Sequence, residues 1–224
     1  MRVPGVYWSL LQTIGSGVAR ISEIAGRMGL GANQLTRYLA ALQDSRLVAR
    51  EVPITEERPS KSKRGIYEVV DPFLRLWFGL VSHVMSYLEI GRIEEAERWL
   101  EKRIAGHWSW AFERICRQYV QGRAGELGVA RVGRYWDSAR ELDIVGIGES
   151  GRVVLAGECK WTASPLGANH LEELKAKVRA LWPEAESSCR LALFSRRGFS
   201  PALKAKARAD GVVLVDPRTL YRSR

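Results

Sequence analysis

Apolar positions near the start of the chain recur every three or four residues. Tyr7, Leu10, Leu11 and Ile14 share one face and predict a helix over residues 6–14, ended by Gly15-Ser16-Gly17. Ile21, Ile24 and Ala25 predict a second, short helix through Met28, with Ser22 as its N-cap. After the turn Gly29-Leu30-Gly31, a third helix is expected from an Asn33 cap to about Ser45, carrying Leu35, Leu39 and Leu42 inward. The period then changes. Residues 47–52 and 65–70 read as two strands around a polar loop that holds Arg58, Lys61, Lys63 and Arg64. Two short helices joined by a glycine turn, followed by a β-hairpin, make a helix-turn-helix with a wing.

Asp71-Pro72 opens a new segment, with Asp71 as N-cap and Pro72 at the first helical position. Residues 73–88 are apolar nearly all round and predict one helix buried between the two halves of the protein, broken before Gly91. Residues 93–104 predict a charged, solvated helix, and residues 107–121 a separate helix with Trp108, Phe112, Ile115, Cys116 and Tyr119 on its inner stripe. Strands follow at 129–136, 141–147 and 152–161. The last two form a hairpin through Gly148-Glu149-Ser150-Gly151. A helix over 169–181 closed by Pro183, a buried strand over 189–195, a helix from Ser200-Pro201 to Ala209 and a strand over 212–216 complete the pattern. The expected organisation is a winged helix-turn-helix over residues 1–70, a helical connector over 71–106 and a mixed-sheet α/β domain over 107–224.

Composition narrows the classes. The chain has 224 residues, of which 46% are hydrophobic, enough for one large core or two small ones. It has no run of about 18 apolar residues that would span a membrane, and Met1-Arg2-Val3-Pro4-Gly5 lacks the apolar core of a signal peptide. Cys116, Cys159 and Cys189 are odd in number and not at metal-ligand spacing, as expected of a reduced, cytoplasmic protein. The net charge of +10 is uneven. Residues 1–70 carry ten Lys and Arg against six Asp and Glu, residues 71–106 five against six, and residues 107–224 twenty against thirteen. Basic ends around a near-neutral middle suit a polyanionic partner, DNA above all. In the helix-turn-helix, Asn33, Gln34, Thr36 and Arg37 would face bases, with Tyr38 beside them, while Lys61, Lys63 and Arg64 would meet phosphates. A protein-contact role for the same module is the plainer alternative.

The chemistry concentrates in the hairpin. Folding it brings Asp143 beside Ala156, Gly157 and Glu158, and strand alternation puts Glu158 and Lys160 on one face with Cys159 on the other. Hydrolysing a phosphodiester calls for a hard cation, and carboxylates suit Mg²⁺ or Mn²⁺. Asp143, Glu158 and the Cys159 backbone carbonyl would be the ligands, Lys160 would orient water or stabilise developing charge, and Glu113 would bind a metal-bound water or complete a second site. Glu141 is a reserve ligand. The competing reading is an inert salt-bridged cluster. Two carboxylates beside one lysine would leave net negative charge, and that favours a metal if the cluster is buried. His83, His107 and His170 have no ligand spacing. A Cys159–His170 nucleophilic pair is disfavoured by the direction of Cys159. Trp136 and Trp161 read as packing residues, and Lys175, Arg196 and Arg197 as phosphate contacts or solvated charges.

A glutamate-bearing helix (Glu113), a strand aspartate (Asp143) and Glu-x-Lys on the next strand (Glu158, Lys160), followed by helix and strand, resemble the PD-(D/E)XK nuclease superfamily. Together with the winged helix, Asp71-Pro72-Phe73, Trp77-Phe78, Glu141-Leu142-Asp143 and Gly157-Glu158-Cys159-Lys160-Trp161, the chain resembles the C-terminal part of the archaeal and bacterial DEXX-box ATPase family, DUF234 type. That resemblance implies a restriction-endonuclease-like domain, with either divalent-metal-dependent deoxyribonuclease activity or a catalytically inactive DNA-binding or regulatory role beside an ATPase. The sequence has no Gly-x-x-x-x-Gly-Lys-Ser/Thr loop, so no ATP site is expected in this chain and an ATPase would be a separate domain or subunit.

Overall fold

The computed structural model describes residues 4–222. The opening residues Met1-Arg2-Val3, read above for a leader, lie outside them. The chain divides into two compact units. One runs to Val52 and resumes over Arg58–His107; the other comprises Pro53–Glu57 and everything from Trp108 onward. No helix among the described residues is long and apolar enough to cross a membrane.

The first unit opens with helices α1 (Pro4–Gly15), α2 (Ile21–Met28) and α3 (Ala32–Asp44), and then strands β1 (Val48–Glu51) and β2 (Ile66–Val69) pair antiparallel from Val48↔Val69 to Glu51↔Ile66. This is the element order of a winged helix-turn-helix. Its core is the expected apolar set: Leu10, Leu11, Ile14, Ile24, Leu35, Leu39 and Leu42 are buried together with Val48, Tyr67, Val69 and Phe78. The caps differ from expectation. Helix α2 starts at Ile21 with Arg20 in the cap position, so Ser22 lies inside the helix. Helix α3 starts before Asn33, with Gly31 at the N-cap, and the Gln34 side-chain oxygen accepts the Gly31 N–H at 3.3 Å. A glutamine reaching back to the cap residue satisfies a free helix-start N–H and makes the asparagine cap unnecessary.

The single apolar helix expected over 73–88 is broken in three. Helix α4 (Pro72–Gly79) is capped as foreseen, with the Asp71 carboxylate accepting the Leu74 N–H at 2.8 Å. A 3₁₀ turn (Val81–His83) and the short α5 (Met85–Glu89) follow. The break falls where α4 meets α1: a Cβ on Gly79 would sit 3.0 Å from the Gly15 carbonyl oxygen. Nor is the segment buried all round, for Phe73 is 66% exposed.

A second correction concerns α6 (Ile93–Gly122), one 30-residue helix where two were expected. It runs straight through Gly106, around which a Cβ would meet nothing within 4 Å. A mid-helix glycine costs only about 1 kcal/mol and does not end a helix by itself. The inner stripe is also shifted. Phe112, Cys116 and Val120 are buried, while Trp108 and Ile115 are exposed.

In the second unit a short α7 (Ala124–Leu127) leads to β3 (Arg131–Trp136), β4 (Glu141–Ile147) and β5 (Val153–Lys160). Helix α8 (Asn169–Leu181), β6 (Arg190–Ser195), α9 (Pro201–Ala209), β7 (Val213–Val215) and α10 (Pro217–Arg222) complete it. The sheet order follows the chain, β3-β4-β5-β6-β7. Strands β3 to β5 form an antiparallel meander, and β6 and β7 join parallel. Parallel neighbours need a crossover, and α8 and α9 supply the two crossovers here. One face of the sheet packs Leu166, Leu171, Leu174, Val178 and Leu203, the other packs Phe112, Cys116 and Val120. A glutamate-bearing helix, a three-stranded meander, a helix and a parallel strand give the restriction-endonuclease-like fold.

Candidate active site

The β4–β5 hairpin turns where glycine permits it, with Gly151 at φ 77° and the Gly148 N–H donating to the Arg152 carbonyl at 2.9 Å. Its paired register runs from Ile147↔Val153 to Ile144↔Gly157 and stops there. Past that point the Asp143 side chain takes over the role of the ladder. Its Oδ2 accepts the Cys159 N–H at 2.8 Å, which fixes the carboxyl beside the end of β5. The Asp143 carbonyl accepts a bond from Arg117 on α6 at 3.3 Å.

Glu158 is 5% exposed, and both of its oxygens are held by lysines. Lys160 bonds Oε2 at 2.7 Å, as strand alternation requires for residues two apart. Lys177 on α8 bonds Oε1 at 2.5 Å and also donates to the Glu141 carbonyl at 3.0 Å. Lys177 is the site residue that sequence reasoning missed. That reading singled out Lys175, which instead pairs with Asp210 at 2.6 Å on the surface. Both lysines flank the apolar stripe Leu171, Leu174 and Val178, on opposite sides, so the spacing marked two candidates without separating them. Lys177 also corrects the electrostatic argument for a metal. Asp143 and Glu158 stand against two ammonium groups rather than one, and the cluster is balanced without a cation.

The titration directions agree with this placement. Burial first, and then the charge of Glu158, push the Asp143 carboxyl above the ordinary aspartate range, against the pull of the Cys159 N–H and Lys160. Burial works to lower Lys160, but the hydrogen bond and charge of Glu158 outweigh it and hold the ammonium above its usual value. Glu113, on α6, is pushed up to about 7 by burial and by the charge of Asp143, with Arg134 and Arg117 opposing. The Ser109 hydroxyl donates to Glu113 Oε1 at 3.4 Å. Asp143, Glu158 and Lys160 thus lie together at one end of the sheet, where Glu113 feels the charge of Asp143.

Glu113 makes a checkable contribution to stability. Its raised pKa means that the folded protein holds a proton that the unfolded chain releases from about pH 4.5 upward, so the group destabilises the fold increasingly between there and pH 7. Glu113→Gln should therefore match the wild type in metal-free melts near pH 4 and exceed it by about 2 kcal/mol near pH 8, after discounting for partial solvent exposure. Equal differences at both pH values would show that Glu113 is not desolvated.

The remaining candidates separate. Glu141 is exposed and paired with Arg134, and its charge still acts on Asp143 and Glu113. Cys159 points to the opposite face, buried with Cys116, and its thiol is pushed far up by burial and then by Cys116. His170 bonds the Gly167 carbonyl, so no Cys159–His170 pair exists. Trp161 packs on Phe112 at 5.5 Å, with the Arg196 guanidinium 4.5 Å over its ring.

Among the described residues no three His, Cys, Asp or Glu side chains converge as a ready metal cluster. The donor chemistry still suits a hard divalent ion: two carboxylates at one strand end, with Asp143 Oδ1 making no hydrogen bond among the described residues. The Cys159 carbonyl is the third oxygen expected there.

In the first unit, Asn33, Gln34, Thr36 and Arg37 are all exposed on α3 and Tyr38 is half-buried, the first two and the last two lining a depression of about 380 Å³ with Leu30. They are not equivalent. Gln34 is engaged at the helix start, and the Thr36 hydroxyl donates to the Ala32 carbonyl at 3.0 Å. Arg37 lies over the Tyr38 ring at 5.3 Å. In the wing loop Lys61 and Lys63 are exposed, while Arg64 is half-buried. Arg50 fastens this loop through the Pro59 and Ser62 carbonyls at 2.8 and 2.6 Å.

A 162-residue stretch is 26% identical to an uncharacterized protein, MJECL04, of Methanocaldococcus jannaschii, covering 70% of this chain and 36% of that protein. The chain therefore spans little more than a third of that relative's length. Among solved structures, protein VC1899 from Vibrio cholerae gives a TM-score of 0.39 at 15% identity, over 99% of this chain and 55% of that one. Can2 from Sulfobacillus thermosulfidooxidans, solved with cyclic tetra-adenylate, gives 0.39 at 12% identity, over 98% and 50%. Residues 77–177 match the family DUF234, described as archaea bacterial proteins of unknown function.

Proposed function

We propose that the second unit is a divalent-metal-dependent deoxyribonuclease and that the first unit binds duplex DNA. The observation that carries this reading is the convergence of Asp143, Glu158 and Lys160 at the end of β5, with Glu113 beside them and held near neutrality. Asp143, Glu158 and the Cys159 carbonyl would hold Mg²⁺ or Mn²⁺. When bound, such an ion supplies charge neutralisation and a more acidic water.

The chain's own residues then have distinct tasks. Asp143, locked by the Cys159 N–H, holds its carboxylate at a fixed position. Lys160 stays protonated and offers its ammonium to the charge that develops on the phosphate. Glu113, divided between its two forms near pH 7, takes a proton from water or returns one at its carboxyl oxygen. Asn33 and Arg37 reach base edges, and Lys61 and Lys63 meet phosphates.

The test is cleavage of duplex, branched and single-stranded DNA with Mg²⁺, with Mn²⁺ and with EDTA. Metal-dependent cleavage that disappears in Lys160→Ala is expected. DNA binding without cleavage under either metal would exclude the nuclease reading. It would favour the second reading, a catalytically inactive DNA-binding or regulatory module working beside a separate ATPase, which the charge balance brought by Lys177 supports.

DNA contact is tested separately. Arg37→Ala should weaken duplex binding by about 1–3 kcal/mol, and replacing Lys61 and Lys63 by Ala should lower the log–log salt slope by about one each. Anisotropy titrations from low to high salt measure both. Unchanged affinity and slope would remove the first unit from the interface.

A further inference from the structure

We propose that Lys177 is a resident counter-ion of this site. It occupies the Glu158 oxygen that a divalent cation would need, so that cation binding requires Lys177 to leave. The inference rests on the metal-site reading above and names what regulates that site.

The geometry argues for it in three steps. Glu158 is buried and its oxygens are divided between two ammonium groups, Lys177 on Oε1 and Lys160 on Oε2. An ammonium at 2.5 Å and a cation bonded to the same oxygen repel each other strongly, and both cannot have that position. The two lysines also differ in freedom. Both side chains are 34% exposed, but Lys160 is carried by β5 beside its partner on the same strand face, whereas Lys177 reaches the carboxylate from another element. Its backbone is anchored by the neighbouring buried Leu174 and Val178, so the ammonium can swing out to water while α8 stays in place.

The same contact also gives the buried carboxylate a partner that does not depend on a metal. A buried carboxylate beside Asp143 is costly unless paired, and Lys177 provides the second pairing. The lysine thus stabilises the empty site and competes with the occupied one.

The experiment is calorimetric titration of Mn²⁺ into the full chain, with melting curves in EDTA and in Mn²⁺, for the wild type, Lys177→Gln, Lys175→Gln and Asp143→Asn. Lys177→Gln should bind Mn²⁺ at least about tenfold more tightly than the wild type, melt lower in EDTA and gain more from Mn²⁺. Lys175→Gln should behave as the wild type. In the wild type itself, amine-reactive labelling read by mass spectrometry should modify Lys177 faster with Mn²⁺ than with EDTA, which keeps the proposal testable if Lys177→Gln folds poorly.

Equal or weaker binding by Lys177→Gln, when the wild type binds and Asp143→Asn does not, would overturn the role of Lys177 and leave the metal site standing. Labelling of Lys177 that ignores Mn²⁺ would do the same. No Mn²⁺ binding by folded wild type and folded Lys177→Gln would instead remove the metal-site reading, and this inference with it.

Discussion

Asp143→Asn is expected to lose metal-dependent DNA cleavage by about a thousandfold or more while keeping the wild-type melting curve in EDTA. The substitution separates charge from architecture. The Asp143 carboxyl is held by one local bond, the Cys159 N–H at 2.8 Å, and an asparagine oxygen accepts that bond equally well. What disappears is the negative charge, in a place where burial and Glu158 already push the carboxyl toward its neutral form. Removing it relieves repulsion with Glu158, so the metal-free fold should not suffer. Metal affinity and cleavage depend on that charge and should collapse. A variant that melts normally and still cuts at the wild-type rate would take Asp143 out of the site.

The largest loss of stability is expected at Phe194. Phe194→Ala should lower the unfolding free energy of the second unit by about 3–5 kcal/mol, the range for truncating a fully buried aromatic. Phe194 is 0% exposed and sits in β6 opposite Cys159 on one side and Val215 on the other. Its ring meets Tyr119 edge-on at 6.1 Å. The glycine in Gly157-Glu158-Cys159-Lys160 answers chiefly to the next strand's backbone: a Cβ at Gly157 would lie 3.1 Å from the Ala192 carbonyl oxygen, with the Phe194 ring in contact at 3.4 Å. Urea denaturation of the full chain, followed by a probe in the second unit, measures the effect. A loss under about 1 kcal/mol would mean that the ring is not the keystone of this face.

The legible parts of this protein share a cause. The hairpin limits, α8, α9 and the caps at Asp71 and Ser200 are set by residues close together in the chain, through alternation, helical period and side-chain bonds to the next turn. The Ser200 hydroxyl, for one, accepts the Leu203 N–H at 3.2 Å, as its place before Pro201 announces. That Glu158 and Lys160 share a strand face was legible for the same reason, and the contact between them at 2.7 Å is built on that placement.

The misreadings also share one. Residues 73–88 look like one apolar helix, yet α4 ends at Gly79, where α1 packs so closely that a Cβ would lie 3.0 Å from the Gly15 carbonyl oxygen. Residues 93–104 and 107–121 read as two helices, yet α6 runs through Gly106 between them, because a single glycine is a weak term against helix propensity and packing on either side. Trp108 and Ile115 fit a helical stripe but lie exposed, since the stripe that packs is the one through Phe112, Cys116 and Val120.

The sequence by itself determined which chemical groups the site has: a carboxylate on β4, Glu-x-Lys on β5, and a glutamate on a preceding helix. These follow from residue type and from the two-residue period of a strand. Only the tertiary structure decided their charge state and their partners. Rotation of α8 against the sheet chose Lys177 over Lys175 and turned an apparent excess of negative charge into a balanced cluster. Burial of Glu113, with the charge of Asp143 beside it, pushed its carboxyl up to about 7. Coulomb energy and desolvation depend on distance and on excluded water, which spacing along a chain does not fix.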